Sequence, residues 1–124
     1  MKKLLLNPWV IGAVLLLGGI TAYAIYYSNA PGEYDDFAKC LGEKGVLFYG
    51  TYWCPFCLEQ KRIFGRSAKH LPYVECSLPS KAGVTEVCIT AGIKSYPTWE
   101  FSDGTRQTGV LGILELSQKT GCAL

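Results

Sequence analysis

Two cysteines in GTYWCPFC, residues 50–57, stand three positions apart, with Pro55 and Phe56 between them and Trp53 in front. A pair at this spacing can cycle between dithiol and disulfide, supply two of four thiolates to zinc, or act as a structural staple. The flanking residues discriminate among these. Val46 to Tyr49 is a short apolar run bounded by Gly45 and Gly50, as a buried strand would be, and Pro55 opens a helical pattern reaching about Lys69. Cys54 therefore falls where a strand ends and a helix begins. The free N–H groups and partial positive charge of a helix N-terminus favour a sulfur nucleophile there. Cys57 lies on the same side one turn later, within reach of a disulfide, so Cys54 is the attacking and Cys57 the resolving sulfur.

The rest of the chain must position that pair. Tyr34, Phe37 and Leu41 recur at helical spacing behind Glu33, Asp35 and Asp36, with Gly45 as the stop. Leu71 to Cys76 reads as a second strand, Glu86 to Ala91 as a short helix and Thr98 to Ser102 as a third strand. Asp103-Gly104 turns the chain into a strand over Thr105 to Val110, and Ile113 to Thr120 forms a last helix capped by Gly121. Helices and strands alternate, so the class is α/β.

Residues 4–27, LLLNPWVIGAVLLLGGITAYAIYY, carry no charge and follow Met-Lys-Lys. A helix from Pro8 to Tyr27 would span roughly 30 Å, the hydrocarbon thickness of a bilayer. Trp9 and Tyr23, Tyr26 and Tyr27 fall where interfacial aromatics belong. The expected organisation is a membrane anchor over 1–27, a tether over 28–33 and one folded domain over 34–124. Lys2 and Lys3 would stay in the cytoplasm, which puts the domain on the extracytoplasmic, periplasmic or equivalent, side. A cleaved signal peptide is the competing reading, because Ala22-Tyr23-Ala24 has the form of a cleavage site, but the apolar stretch is longer than the usual signal core. Past residue 27, ten Lys and Arg balance ten Asp and Glu. No basic patch exists to neutralise phosphates, so nucleic acid is excluded as a partner.

The W-C-P-x-C after a short apolar strand, with S-Y-P-T at Ser95 to Thr98, resembles the thioredoxin fold from about residue 34 onward. More narrowly, FYGTYWCPFCLEQKRIFG, PYVEC and a cysteine ahead of AGIKSYPTWEF are similar to the thioredoxin-like domain fused to bacterial and plant homologues of vitamin K epoxide reductase. The resemblance implies a mixed central sheet flanked by helices and disulfide exchange with protein thiols outside the cytoplasm. It calls for no cofactor. It implies that Pro97 is a cis-proline facing the dithiol, and that Tyr96 offers backbone groups to an extended substrate. Trp53, Pro55 and Phe56 complete the implied substrate-contacting set. A quinone-linked membrane protein of the vitamin K epoxide reductase kind is the implied redox partner.

Two positions depart from the pattern. Phe56 stands where relatives often carry histidine, which implies a milder oxidant. Phe48 stands where thioredoxins carry a buried acid, and Glu59 is the nearest carboxylate in sequence to Cys57.

Cys76 and Cys88 are separated by eleven residues. Closing so short a loop would stabilise by about 3 kcal/mol, and the resembling domains carry cysteines there, so these two are expected to pair. Cys40 and Cys122 are left by elimination. Their helices are expected on opposite faces of the sheet, so a further bridge and free or intermolecular thiols are both open. Zinc held by Cys54, Cys57, Cys76 and Cys88 is the rival from another class, disfavoured by export and by the strand–helix setting of the CxxC. A tethered interaction module with purely structural bridges is the third alternative. His70 reads as a solvated or capping residue and Lys61, Arg62 and Arg66 as a solvated helix face.

Overall fold

The computed structural model describes residues 7–124, which form one unit running through Pro31 and a second over Gly32–Leu124. Lys2 and Lys3, on which the expected orientation rests, lie outside the described residues.

The first unit is a single helix, α1 (Pro8–Asn29). Asn7 accepts a hydrogen bond from the Trp9 N–H at 3.1 Å, and Pro8 opens the first turn, where its missing N–H has no partner to lose. Its 22 residues rise about 33 Å and none is buried, so by length and composition the helix can cross a membrane. It continues two residues beyond Tyr27, and the Asn29 side chain donates back to the Ile25 carbonyl at 2.9 Å.

The second unit runs α2 (Asp35–Glu43), β1 (Leu47–Gly50), α3 (Pro55–Phe64), β2 (Tyr73–Glu75), α4 (Glu86–Ala91), β3 (Thr98–Glu100), β4 (Arg106–Thr108) and α5 (Ile113–Thr120). The strands lie in the order β2-β1-β3-β4. β1 is parallel to β2 and antiparallel to β3, and β4 is antiparallel to β3. This mixed sheet flanked by helices is the thioredoxin-like α/β arrangement that the resemblance implied.

Side-chain alternation along β1 divides the core. Phe48 points to one face and Leu47 and Tyr49 to the other. Phe48 is the register partner of Trp99, and their rings stack with centroids 4.6 Å apart. Around them pack Phe37, Ala38 and Leu41 of α2, Cys57 and Phe64 of α3 and Leu116 of α5. The other face holds Tyr49, Cys76, Cys88 and Ile93.

The expectation that the first and last helices of the domain oppose each other across the sheet is therefore corrected. Both α2 and α5 feed the Phe48–Trp99 cluster, and the chain returns past Gly121 to bury Cys122 there. Cys40 and Cys122 are joined by a disulfide, with Cα atoms 5.9 Å apart. The helix expected from Pro55 to Lys69 also divides. Gly65 adopts φ 55°, ψ −129°, a conformation that favours glycine and ends α3, and Gly65–His70 continues as a 3-10 helix.

A buried amide locks α3 to the far end of the sheet. Gln60 is fully buried; its Nε2 donates to the Leu111 carbonyl at 2.9 Å, and its Oε1 accepts from the Leu111 N–H at 2.7 Å and from Trp99 Nε1 at 3.2 Å. Gln60→Leu keeps the volume but strands two donors and an acceptor in the core. It is expected to cost at least about 3 kcal/mol in urea unfolding, since each orphaned buried group costs roughly 1–3 kcal/mol.

Candidate active site

Cys54 is the N-cap residue of α3, with extended backbone at φ −75°, ψ 122°. Its N–H donates to the Thr51 carbonyl at 3.3 Å, and its own carbonyl accepts from the Leu58 N–H at 3.0 Å. The sulfur does not cap the helix. It lies 3.8 Å from the Tyr96 carbonyl oxygen, in hydrogen-bonding contact, and the Tyr96–Pro97 peptide is cis. The fold thus brings Cys54 to the loop ahead of β3, residues 42 positions apart in the chain. Cys54 and Cys57 are both free thiols, 6% and 0% exposed. Trp53 and Phe56 flank them on the surface at 41% and 63% exposure. Trp53 stands edge-on to Tyr96 at 6.5 Å and donates from Nε1 to Ser77 Oγ at 2.9 Å.

Cys57 fits because β1 ends in glycine. A Cβ on Gly50 would come within 2.8 Å of Cys57 Sγ and 3.0 Å of Tyr73 Cε2, so no larger residue can pass this close to the sulfur. Burial pushes the Cys57 thiol up to about 12, with the neighbouring Cys54 adding to the shift and the Thr51 backbone and Lys61 opposing it. Between the ordinary value of 9.0 and about 12 the unfolded chain sheds this proton while the folded chain keeps it. The reduced domain is therefore expected to lose stability as pH rises through that window. The Cys54–Cys57 disulfide form, with no thiol to titrate there, is expected to lose less over the same range, the raised Tyr73 phenol being common to both forms. Urea midpoints of both forms across that range check the difference.

Sequence reading missed one carboxylate. Glu75, at the end of β2 and paired in register with Gly50, accepts from the Tyr73 hydroxyl at 2.6 Å through one oxygen. Through the other it accepts from the N–H groups of Ser77 at 2.9 Å and Tyr52 at 3.2 Å. It thereby ties the strand end to the turn that carries Cys54. Tyr73 is held well above the usual phenol range, first by burial and then by that bond. The sequence signal was the Tyr-Val-Glu alternation, which puts Tyr73 and Glu75 on one side of the strand. Glu59 instead pairs with Arg62 at 2.6 Å on the exposed face of α3. His70 lies 3.7 Å from Asp35.

Cys76 and Cys88 are bonded to each other, with Cα atoms 5.5 Å apart and both side chains buried. The four-thiolate zinc arrangement is accordingly not assembled. Among the described residues no cluster of three or more His, Cys, Asp and Glu is arranged to hold a metal. What the site offers is two neighbouring free sulfurs at a strand–helix junction, on a scaffold whose other four cysteines are paired. Such a pair can form, exchange and release disulfides.

No family model matches the chain. An alignment of 91 positions, covering 70% of the chain, is 40% identical to the thiol-disulfide oxidoreductase LTO1 of Arabidopsis thaliana. The chain spans 24% of that protein's length.

Proposed function

We propose that this chain is a thiol-disulfide oxidoreductase that exchanges disulfides with protein substrates through Cys54 and Cys57, held to a membrane by α1 with its domain on the extracytoplasmic side. The observation that carries the reading is the free Cys54–Cys57 pair at the N-terminus of α3, with the Cys54 sulfur against the Tyr96 carbonyl. Two structural disulfides in so small a domain support an oxidising compartment.

In the reducing direction the Cys54 sulfur attacks a substrate disulfide. A Cys54–substrate S–S bond forms, and the displaced substrate sulfur leaves as a thiolate and takes up a proton. Cys57 then gives up its proton and attacks the Cys54 sulfur. The second substrate sulfur departs reduced, and Cys54–Cys57 is left as a disulfide. The oxidising direction reverses these steps, transferring the disulfide to a substrate dithiol. The burial of Cys57 orders the two sulfurs, since its thiol stays protonated at neutral pH while Cys54 lies nearer the surface. Trp53, Pro55 and Phe56 form the surface around the reacting sulfur, and the backbone of Tyr96 with Pro97, which has no N–H, receives an extended substrate. A quinone-linked membrane protein of the vitamin K epoxide reductase kind is the partner that would reset the pair.

The test is exchange with oxidised glutathione, together with metal analysis of the purified chain. The expected result is exchange through one dithiol per chain and no stoichiometric zinc. Bound zinc, or exchange no faster than a free cysteine supports, would contradict it.

A further inference from the structure

Resolution of a mixed disulfide needs Cys57 as a thiolate, yet its sulfur sits where charge is costly. Cys57 is fully buried beneath Gly50 and Tyr73, and that burial pushes its thiol up to about 12. Of the titratable groups around it, Cys54 on its own helix, Tyr73 and Glu75 on β2, and Tyr96 ahead of β3 are neutral or anionic. None of these four favours a further negative charge beside it. Phe48, edge-on to the Tyr73 ring at 5.2 Å, adds only apolar surface.

A cation rises from the same side of the helix. Lys61 follows Cys57 by four residues on α3, so the two side chains share one face with Cβ atoms about 5–6 Å apart. It does not belong to the solvated face that the sequence suggested. Lys61 is half-buried, and its Nζ lies 3.5 Å from the centre of the Tyr73 ring. Arg62, the next residue, does stay on the exposed face, paired with Glu59. Tyr73 links the ammonium to the sulfur, because one point, the Cβ position of Gly50, is 2.8 Å from Cys57 Sγ and 3.0 Å from Tyr73 Cε2. The ring itself is pinned. Its hydroxyl donates to Glu75 at 2.6 Å, and Glu75 is held in turn by the N–H groups of Ser77 and Tyr52. A cation on the face of a fixed ring is drawn there by the ring quadrupole, so its charge stays near the sulfur and offsets part of the cost of ionising it. Cys54 stands seven residues from Lys61, about 10 Å back along the helix axis, where the same charge acts more weakly.

We propose that Lys61 is a positioning residue for the resolving step: its ammonium, seated on the Tyr73 ring, stabilises the Cys57 thiolate as it forms and attacks. The proposal rests on the oxidoreductase reading and names the group that governs its second step. In that step the Cys57 thiolate attacks the Cys54 sulfur, the Cys54–Cys57 bond forms and the Cys54–substrate bond breaks. The departing substrate sulfur takes from solvent the proton that Cys57 gave up to it.

The test follows the mixed disulfide in time. Reduced wild type, Lys61→Met and Lys61→Arg are mixed with excess oxidised glutathione between pH 5 and 9, quenched in acid and weighed by mass spectrometry, which gives the rise and decay of the glutathione adduct on Cys54. Each unit by which the Cys57 thiol rises removes tenfold of its thiolate and returns about threefold in nucleophilicity. Lys61→Met, which keeps the bulk and loses the charge, is therefore expected to slow the decay at least about 3-fold at neutral pH and to displace the decay curve to higher pH. Its rise should stay within twofold of wild type, and Lys61→Arg should restore the decay to within twofold. A decay in Lys61→Met within 1.5-fold of wild type, an equal slowing of rise and decay, or a Lys61→Arg variant as slow as Lys61→Met would overturn the role of the charge. If wild type formed no adduct on Cys54 at all, the oxidoreductase reading would fall, and this proposal with it.

Discussion

Cys57→Ser is expected to leave substrate covalently attached to Cys54, whereas Cys54→Ser should reduce disulfide exchange by about 10³-fold or more and trap nothing. The asymmetry follows from where the two sulfurs sit. Cys54 ends the surface turn after β1, with its sulfur against the loop that precedes β3, while Cys57 is sealed beneath Gly50 and Tyr73. An incoming disulfide meets Cys54 first. Without a sulfur at position 57, the mixed disulfide waits for an external thiol. Non-reducing gels and mass spectrometry of protein mixed with an excess of peptide disulfide check this. Equal trapping by both variants would reverse or dissolve the division of roles.

Removing the Cys40–Cys122 bridge should produce the largest loss of stability of any single change to the scaffold. The bond joins residues 82 apart. On the chain-entropy model a loop of that length is worth about 4.5 kcal/mol, against about 3 kcal/mol for the short Cys76–Cys88 loop. A domain of this size has only about 5–15 kcal/mol in total. The double variant Cys40→Ala/Cys122→Ala, unfolded in urea beside the intact protein, should lose a large fraction of its stability while Cys54 keeps its reactivity. A loss below about 1 kcal/mol would mean that the native ends are held by packing alone. The buried Leu116 and Phe37 of α5 and α2 would then supply that packing.

The sequence exposed local events well. An apolar strand bounded by glycines, a proline at the first turn of a helix and a glycine past the last one are written in adjacent residues, and β1, α3 and α5 begin or end close to where those signals stand. Longer-range facts were less accessible. That α2 and α5 share a sheet face depends on how each helix packs against Phe48 and Trp99, which neither helix encodes by itself. The pairing of Cys40 with Cys122, named as one of two open outcomes, stayed undecided in the sequence for the same reason. The end of α3 at Gly65 was obscured because the following residues stay helical in a tighter form. Within the candidate site, the cysteines and the Tyr96–Pro97 dipeptide were legible as motifs. Glu75 was not, because its bonds run to the turn at Tyr52 and to Ser77, which only the parallel register of β1 and β2 brings together.

The most direct measurement is to equilibrate the chain in glutathione or dithiothreitol buffers of graded potential, alkylate it, and map each thiol by mass spectrometry. Between about −150 and −270 mV, two thiols are expected to appear together at Cys54 and Cys57, with the other four cysteines still paired. If Cys76–Cys88 or Cys40–Cys122 opened first, or if Cys54 and Cys57 failed to interconvert as a pair, the proposed reactive centre would be elsewhere or absent.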